Sequence, residues 1–272
     1  MGKMDYLITG GSGFIGKNLR LRLASQCSVV NVDINPQGDP GAHILDVAQR
    51  LPNFYGNTLV HLAAYTNIRQ SLAHPRTTIT SNINSLLNCI DLVRTEKFNT
   101  LVFTSSASSA LSASPYLASK AAGEAICNAY YKSYNLDIRV LKLSSVYGPH
   151  SIHKNSVIAA FIKRCLNKCS LLIYGDGSQS RDFIHVDDVV NAIISGKSGY
   201  ICSGKLVTIK YLAETIREIS KSLIGFTPII HYENFIPGEV LCPEIHCDID
   251  PTISLEDGLY NTFKWFIENY EH

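Results

Sequence analysis

The chain has 272 residues, 46% of them apolar, enough for one large domain or two smaller ones with a sizeable core. Its formal net charge of +1 gives no reason to expect a nucleic-acid partner or an acidic membrane surface. No apolar run is long enough to span a bilayer, and the N-terminus lacks a signal-peptide layout. The start Met1-Gly2 is followed by Tyr6, which fails the myristoylation pattern, so a cytoplasmic location is expected.

The first predicted strand is Asp5 to Thr9. It runs into Gly10-Gly11-Ser12-Gly13-Phe14-Ile15-Gly16, and a helix is expected over Lys17 to Ala24 with Leu19, Leu21 and Leu23 on it. A strand, a glycine turn and a helix N-terminus in this order form a cradle for a pyrophosphate. The first glycines permit the turn, Gly13 lets backbone approach phosphate oxygens, and Gly16 lets the helix pack closely on the sheet. The second strand, Ser28 to Asp33, ends in a carboxylate 17 residues after Gly16. Such a carboxylate accepts hydrogen bonds from both adenosine ribose hydroxyls and repels a 2′-phosphate. No Lys or Arg follows until Arg50, so NAD is expected rather than NADP. Asp46 is a second acidic candidate, either for the adenine amino group or as a helix cap.

Further strands are expected at Thr58 to Leu62, Thr100 to Thr104 and Ile138 to Leu143, with helices at Thr78 to Arg94 and Tyr116 to Tyr134 between them. This alternation, with near-continuous apolar strands, predicts an α/β fold whose parallel sheet is buried on both faces. The Thr100 strand runs into the serine cluster Ser105-Ser106-Ala107-Ser108-Ser109, at the edge where such a sheet presents its ligands. Tyr116 and Lys120 are four residues apart and share a helical face. Lys120 is expected to pull the Tyr116 phenol from about 10 towards neutrality, so that it can take a proton from a hydroxyl as hydride leaves the adjacent carbon. Beyond Tyr147-Gly148-Pro149 the pattern loosens into a helix at Ser156 to Asn167, a strand at Leu171 to Tyr174, the turn Gly175-Asp176-Gly177 and an amphipathic helix at Lys210 to Lys221. Pro228, Pro237, Pro243 and Pro251 interrupt the C-terminal stretch. The expected division is a cofactor domain over residues 1–148, rejoined by about 182–200, and a smaller lobe over 149–272.

The eight cysteines include no C-x-x-C pair and read as buried reduced thiols. Cys165 with Cys169, and Cys242 with His246 and Cys247, lack a second ligand pair at finger-like spacing, so no metal is expected.

Taken together, the glycine turn, Asp33, His61-Leu62-Ala63-Ala64, the serine cluster and Tyr116-x-x-x-Lys120 resemble the extended short-chain dehydrogenase/reductases. The branch is the NAD-dependent epimerase/dehydratase group, which acts on nucleotide sugars. Leu141 to Pro149 and Tyr174 to Asp188 resemble two further signatures of that branch. The resemblance implies a Rossmann-type doubly wound parallel sheet with a smaller C-terminal substrate-binding lobe, and a homodimer. It places Gly10, Gly13, Phe14, Ile15 and Gly16 under the pyrophosphate and Asp33 on the adenosine ribose. Asp46 and Val47 go to the adenine, and Leu62, Ala63 and Ala64 along the dinucleotide, with Asn82 nearby. Ser106 matches the catalytic Ser/Thr position, Tyr116 the base and Lys120 the ribose-binding lysine. Val146 would flank the nicotinamide. Ser145, Tyr174 and Arg181 would meet the nucleotide-diphosphate sugar.

The chain departs from the branch at four places. Tyr116 follows Ser106 by only ten positions, where the family's stretch is longer. Ser145 stands where an Asn is usual. No downstream phosphate-binding Arg is evident around Pro237 to Leu241, and a helix is missing after Asp250. Ala107-Ser108 replace the acidic pair of sugar 4,6-dehydratases, and the Glu of decarboxylating relatives is absent. The expected activity is a nucleotide-sugar 4-epimerase working through a transient 4-keto sugar. A 4-ketoreductase or dehydrogenase with exchangeable NAD(P)(H), and a catalytically idle NAD-binding regulatory or scaffold protein, are the alternatives.

Overall fold

The computed structural model describes residues 4–36, 42–49, 54–234 and 246–270. In chain order the elements are β1 (Met4–Thr9), α1 (Phe14–Leu23), β2 (Val29–Asp33), β3 (His43–Ile44), β4 (Gly56–His61), α2 (Ile68–Ala73), α3 (Pro75–Arg94), β5 (Phe98–Ser106), α4 (Pro115–Tyr134) and β6 (Asp137–Leu143). They continue with β7 (Ser145–Tyr147), α5 (Val157–Leu166), β8 (Leu171–Tyr174), β9 (Ser180–His185), α6 (Val186–Ile194), β10 (Gly199–Ile201), β11 (Leu206–Thr208), α7 (Ile209–Ile224), β12 (Ile230–Glu233) and α8 (Leu255–Asn269).

The chain divides into two units. The first ends at Leu143 and takes in Val190–Ile201; the second holds Ser144–Val189 and the chain from Cys202 onward. Within the first, seven strands among the described residues pair in the order β10-β6-β5-β4-β1-β2-β3. Every pairing is parallel. The order reverses between β1 and β4, where a doubly wound sheet binds ligands beyond its strand C-termini. Leu7, Ile8, Leu59, Val60, Leu101 and Val102 are buried along the central strands, as expected for a sheet covered on both faces. Leu86, Cys89, Ile90 and Cys127 of α3 and α4 join that core.

The second unit contains a three-stranded sheet, β11-β9-β7, and a two-stranded parallel sheet, β12-β8. Its core gathers Ile158, Phe161 and Ile162 of α5, Leu212 and Ile216 of α7, and Leu259, Phe263 and Phe266 of α8. The helices are delimited by local chemistry. Thr208 accepts from the Tyr211 N–H at the start of α7, and Gly225 ends it at φ +63°. Ser254 Oγ caps α8 by accepting the Asp257 N–H, and donates its own hydrogen to the Asp257 carboxylate.

The unit boundaries differ from those expected. The crossing falls after Leu143 rather than at residue 148, because β7 leaves the main sheet and pairs with β9, Ser145 opposite Phe183. The return begins at Val190, within α6, rather than near 182, because β9 belongs to the three-stranded sheet. The short strand β3 was not foreseen; it adds His43 and Ile44 to the edge beside Val32 and Asp33.

Candidate active site

The glycine turn is built as a cradle. Gly10 has φ +73° and donates its N–H to the Val32 carbonyl at 2.8 Å. A Cβ there would stand 2.7 Å from the Ala63 nitrogen. A Cβ on Gly16 would stand 2.5 Å from the Gly10 carbonyl oxygen and the Gly11 Cα. Gly13 is the N-cap of α1 and offers no side-chain cap, so the first-turn N–H groups face outward for an anion. Phe14 is buried and Ile15 half-buried behind it. Asp33 closes the turn from β2, its Oδ2 accepting the Ser12 N–H at 3.1 Å and its Oδ1 the Asn35 N–H at 3.0 Å. Leu62 and Ala63 are drawn to the same place by Thr9, which accepts from the Leu62 N–H through its carbonyl and the Ala63 N–H through Oγ1. Ala64 comes next, half-buried. Glycines that admit no Cβ, outward N–H groups and an acidic strand end suit a dinucleotide pyrophosphate and ribose.

Asp46 caps the turn over residues 47–49: its Oδ1 accepts the Ala48 N–H at 2.9 Å and its Oδ2 the Gln49 amide. Val47 is buried, and its carbonyl accepts from Asn88 of α3.

Helix α4 begins where Ser114 accepts the Leu117 N–H, with Pro115 as first helical residue. That start puts Tyr116 in the first turn and Lys120 one turn on. The Lys120 side chain is buried, 4.8 Å above the Phe103 ring, and donates to the Thr104 carbonyl at 2.7 Å. Burial lowers its ammonium to about 8, against an upward pull from Cys127 and Glu124. The Tyr116 phenol is not lowered as expected. Burial pushes it up to about 12, and the Lys120 amine is directed at Thr104. The physical reason is that desolvation of the phenolate outweighs a cation engaged elsewhere.

Ser106 ends β5 opposite Leu143, its Oγ accepting the Ser108 N–H at 3.3 Å. The Ala107 N–H holds the turn to the Leu143 carbonyl at 2.8 Å. Lys120 therefore binds the same strand end that presents Ser106.

Three residues whose contacts the sequence did not foretell support this region. Asn82 of α3 accepts the Tyr65 N–H at 2.8 Å and donates to Ser119 Oγ at 2.9 Å, joining the segment after β4 to α4. It serves as a brace between these two segments. His61, buried at the end of β4, meets Thr9 Oγ1 through Nδ1 at 2.7 Å and Ser85 Oγ through Nε2 at 3.3 Å. Burial, then the Lys120 charge, pushes it down to about 3, so it is neutral. Glu124 receives the hydroxyls of Ser105 and Ser109. No sequence motif announces these partners; long-range packing creates them.

In the second unit, Ser145 and Val146 lie on β7, paired with Phe183 and Ile184 of β9. Arg181 lies on β9 opposite Val207 and is half-buried. Tyr174 ends β8 in the separate two-stranded sheet and is exposed. The acids of the second signature hold loops. Asp182 accepts the N–H groups of Ser203 and Lys205, and Asp188 accepts from Thr252 and the Ile253 N–H. Cys242 and Pro237 to Leu241 lie outside the described residues. Among the described residues no group of His, Cys, Asp and Glu could hold a metal ion, and no helix is long and apolar enough to cross a membrane.

Residues 6–195 match the family model described as the NAD dependent epimerase/dehydratase family. The chain belongs to that family. Its cofactor is accordingly NAD. Among curated relatives of this epimerase/dehydratase, a putative UDP-glucose 4-epimerase of Methanocaldococcus jannaschii is 28% identical over 97% of this chain and 98% of its own length. The UDP-glucuronate 4-epimerase of Thermodesulfobacterium geofontis is 31% identical over 79% of this chain and 74% of its own. A solved UDP-N-acetylglucosamine 4-epimerase of Methanobrevibacter ruminantium M1, in complex with UDP-N-acetylmuramic acid, superimposes with a TM-score of 0.85 at 27% identity, covering 98% of this chain and 99% of that one.

Proposed function

We propose that the protein is an NAD-dependent 4-epimerase of a UDP-sugar. The observation that carries this reading is the Lys120–Thr104 bond, which ties the Tyr116-bearing helix to the strand that ends in Ser106. The 4-epimerases among the relatives support it. Ala107-Ser108 after Ser106 leave the site without the acid pair that elimination of water needs.

NAD, when bound, supplies the acceptor and then the donor of one hydride at the sugar carbon. Tyr116 takes the proton of the C4 hydroxyl and returns it to the same oxygen after the sugar has turned. Ser106 Oγ donates a hydrogen bond to that oxygen and steadies it. Burial raises the Tyr116 phenol to about 12, so a nearby positive charge, such as that of the nicotinamide, would be needed to favour the phenolate. Lys120, fixed by Thr104, holds the nicotinamide ribose. Gly10, Gly13, Phe14, Ile15 and Gly16 take the pyrophosphate and Asp33 the adenosine ribose. Asp46 and Val47 take the adenine, and Leu62, Ala63, Ala64 and Val146 flank the dinucleotide. Arg181 suits the substrate diphosphate through its forked guanidinium, with Ser145 and Tyr174 as further substrate contacts.

A cytoplasmic homodimer completes the reading. Leu72 of α2, Ile79 of α3, and Tyr131 and Tyr134 of α4 are exposed apolar groups that a second copy would cover. Light scattering on the purified chain tests this part.

The test of activity has two steps. Purified protein is denatured and any released dinucleotide identified. Native protein is then incubated with UDP-, GDP-, CDP- and dTDP-sugars without added cofactor, beside Tyr116→Phe. Epimerised UDP-sugar from the native protein alone is expected. Turnover only with added NAD(P)H would replace the epimerase by a reductase. A native protein as inert as Tyr116→Phe would leave only a binding role.

A further inference from the structure

Glu124 lies one turn beyond Lys120 on α4. Its Oε1 accepts hydrogen bonds from Ser105 Oγ and Ser109 Oγ, each at 2.5 Å. Its Oε2 pairs with Lys142 Nζ at 2.8 Å. Ser105 directly precedes Ser106, and Ser109 comes three residues after it. Lys142 stands on β6 as the register partner of Ser105. One carboxylate thus grips the serine turn on both sides of Ser106 and clamps it to the neighbouring strand.

We propose that Glu124 is a positioning residue: it fixes the Ser105–Ser109 turn, and with it Ser106, relative to the helix that carries Tyr116 and Lys120. This deepens the epimerase reading and rests on it, since Ser106 is taken there to meet the reacting oxygen. The chemistry of the site calls for a glutamate. A carboxylate oxygen has lone pairs for two hydroxyls at once, and bonds to a charged acceptor are roughly twice as strong as neutral ones. Both members of the Glu124–Lys142 pair are largely shielded from water, with side-chain exposures of 18% and 29%. Each therefore needs the other's charge. The hydrogen bond to Glu124 raises the Lys142 ammonium, which keeps that ammonium charged. Glu124 also helps keep Lys120 charged. The groups acting on Lys120 are Glu124 and Cys127 on its own helix, with His61 on β4 feeling its charge in turn.

The experiment compares native protein with Glu124→Ala, Glu124→Gln and the double variant Glu124→Gln/Lys142→Met. It measures kcat and KM across pH, hydrogen exchange in peptides covering residues 105–111, and retained dinucleotide as a check of folding. Glu124→Ala is expected to lower kcat by roughly tenfold to a hundredfold with KM little changed, the effect of a small displacement near the chemistry. Exchange at 105–111 rises, and the basic limb of the kcat profile moves to lower pH as Lys120 loses a stabilising charge. Glu124→Gln keeps an oxygen for the serines but turns an amide towards Lys142. Removing the ammonium in the double variant is therefore expected to restore part of kcat and of the protection. If Glu124→Ala does not fold, the Gln and Gln/Met variants decide alone. Unchanged kcat and unchanged exchange in folded variants would overturn the proposal. A native protein that converts no nucleotide sugar overturns the epimerase reading instead, and exchange then decides the role of Glu124 by itself.

Discussion

Lys120 donates to the carbonyl of Thr104 at 2.7 Å, two residues before Ser106, so the buried ammonium is anchored to the strand that presents the serine. Holding it there costs stability. Between pH 10.5 and 8 the unfolded chain carries the charge in water while the folded chain keeps the buried amine neutral. Stability from this group is therefore present above 10.5 and is lost as pH falls through about 8. The loss amounts to about 3 kcal/mol at ~1.4 kcal/mol per pH unit. Lys120→Met should abolish turnover and flatten the stability profile over this window. Urea unfolding of both proteins at pH 7, 8, 9 and 10 measures the difference. Parallel profiles would mean that the folded amine is not held at a lowered pKa.

Asp33 accepts the Ser12 N–H, which aligns a carboxylate with the glycine turn. Asp33→Asn keeps the shape and one acceptor but removes the charge. NAD affinity is expected to fall roughly tenfold or more, the size of one charged hydrogen bond, while NADP affinity rises. Titration with both dinucleotides reads the ratio. A ratio equal to that of the native protein would show that Asp33 does not face the adenosine ribose.

Two glycines offer a controlled comparison. A Cβ at Gly16 would meet backbone atoms of Gly10 and Gly11 at 2.5 Å, and backbone cannot give way cheaply. Gly16→Ala should destabilise the protein by more than about 2 kcal/mol and empty it of dinucleotide. Gly225 at the end of α7 has φ +63° and nothing within 4 Å of a built Cβ, so Gly225→Ala should cost only about 1 kcal/mol and leave the dinucleotide in place. Thermal melts with assay of the released dinucleotide separate the two. Equal losses would show that close approach at Gly16 is not what the turn requires.

His61 predicts acid sensitivity. Burial and the Lys120 charge hold its imidazole down at about 3, whereas the unfolded chain protonates it near 6.5. Its stability is present above 6.5 and is lost as pH falls through about 3, by up to ~5 kcal/mol. His61→Asn should be less stable than native protein at pH 7, because the Thr9 and Ser85 contacts are cut, yet lose less between pH 7 and 4. Denaturant unfolding at both pH values tests this. A variant that loses as much as the native protein over that range would assign the acid sensitivity elsewhere.

The sequence by itself determined the parts of this protein whose chemistry is local. Glycines at 10, 13 and 16 between a strand and a helix specify a tight turn, because at Gly10 and Gly16 backbone stands where a Cβ would be. An acid at the end of the next strand faces that turn because β1 and β2 are register partners. Four-residue spacing puts Tyr116 and Lys120 on one face of any helix. What the tertiary structure decided are contacts between residues far apart in the chain. It sent the Lys120 amine to Thr104, and it buried the phenol enough to raise Tyr116 where spacing alone predicted a fall. It made Asn82 and Glu124 braces of the serine–tyrosine region, and it turned Asp182 and Asp188 into loop anchors. It also moved the division of the chain to Leu143, because β7 pairs with β9. Spacing fixes which side chains share a face. Only packing fixes what each face meets, how much water remains there, and which way a proton equilibrium is driven.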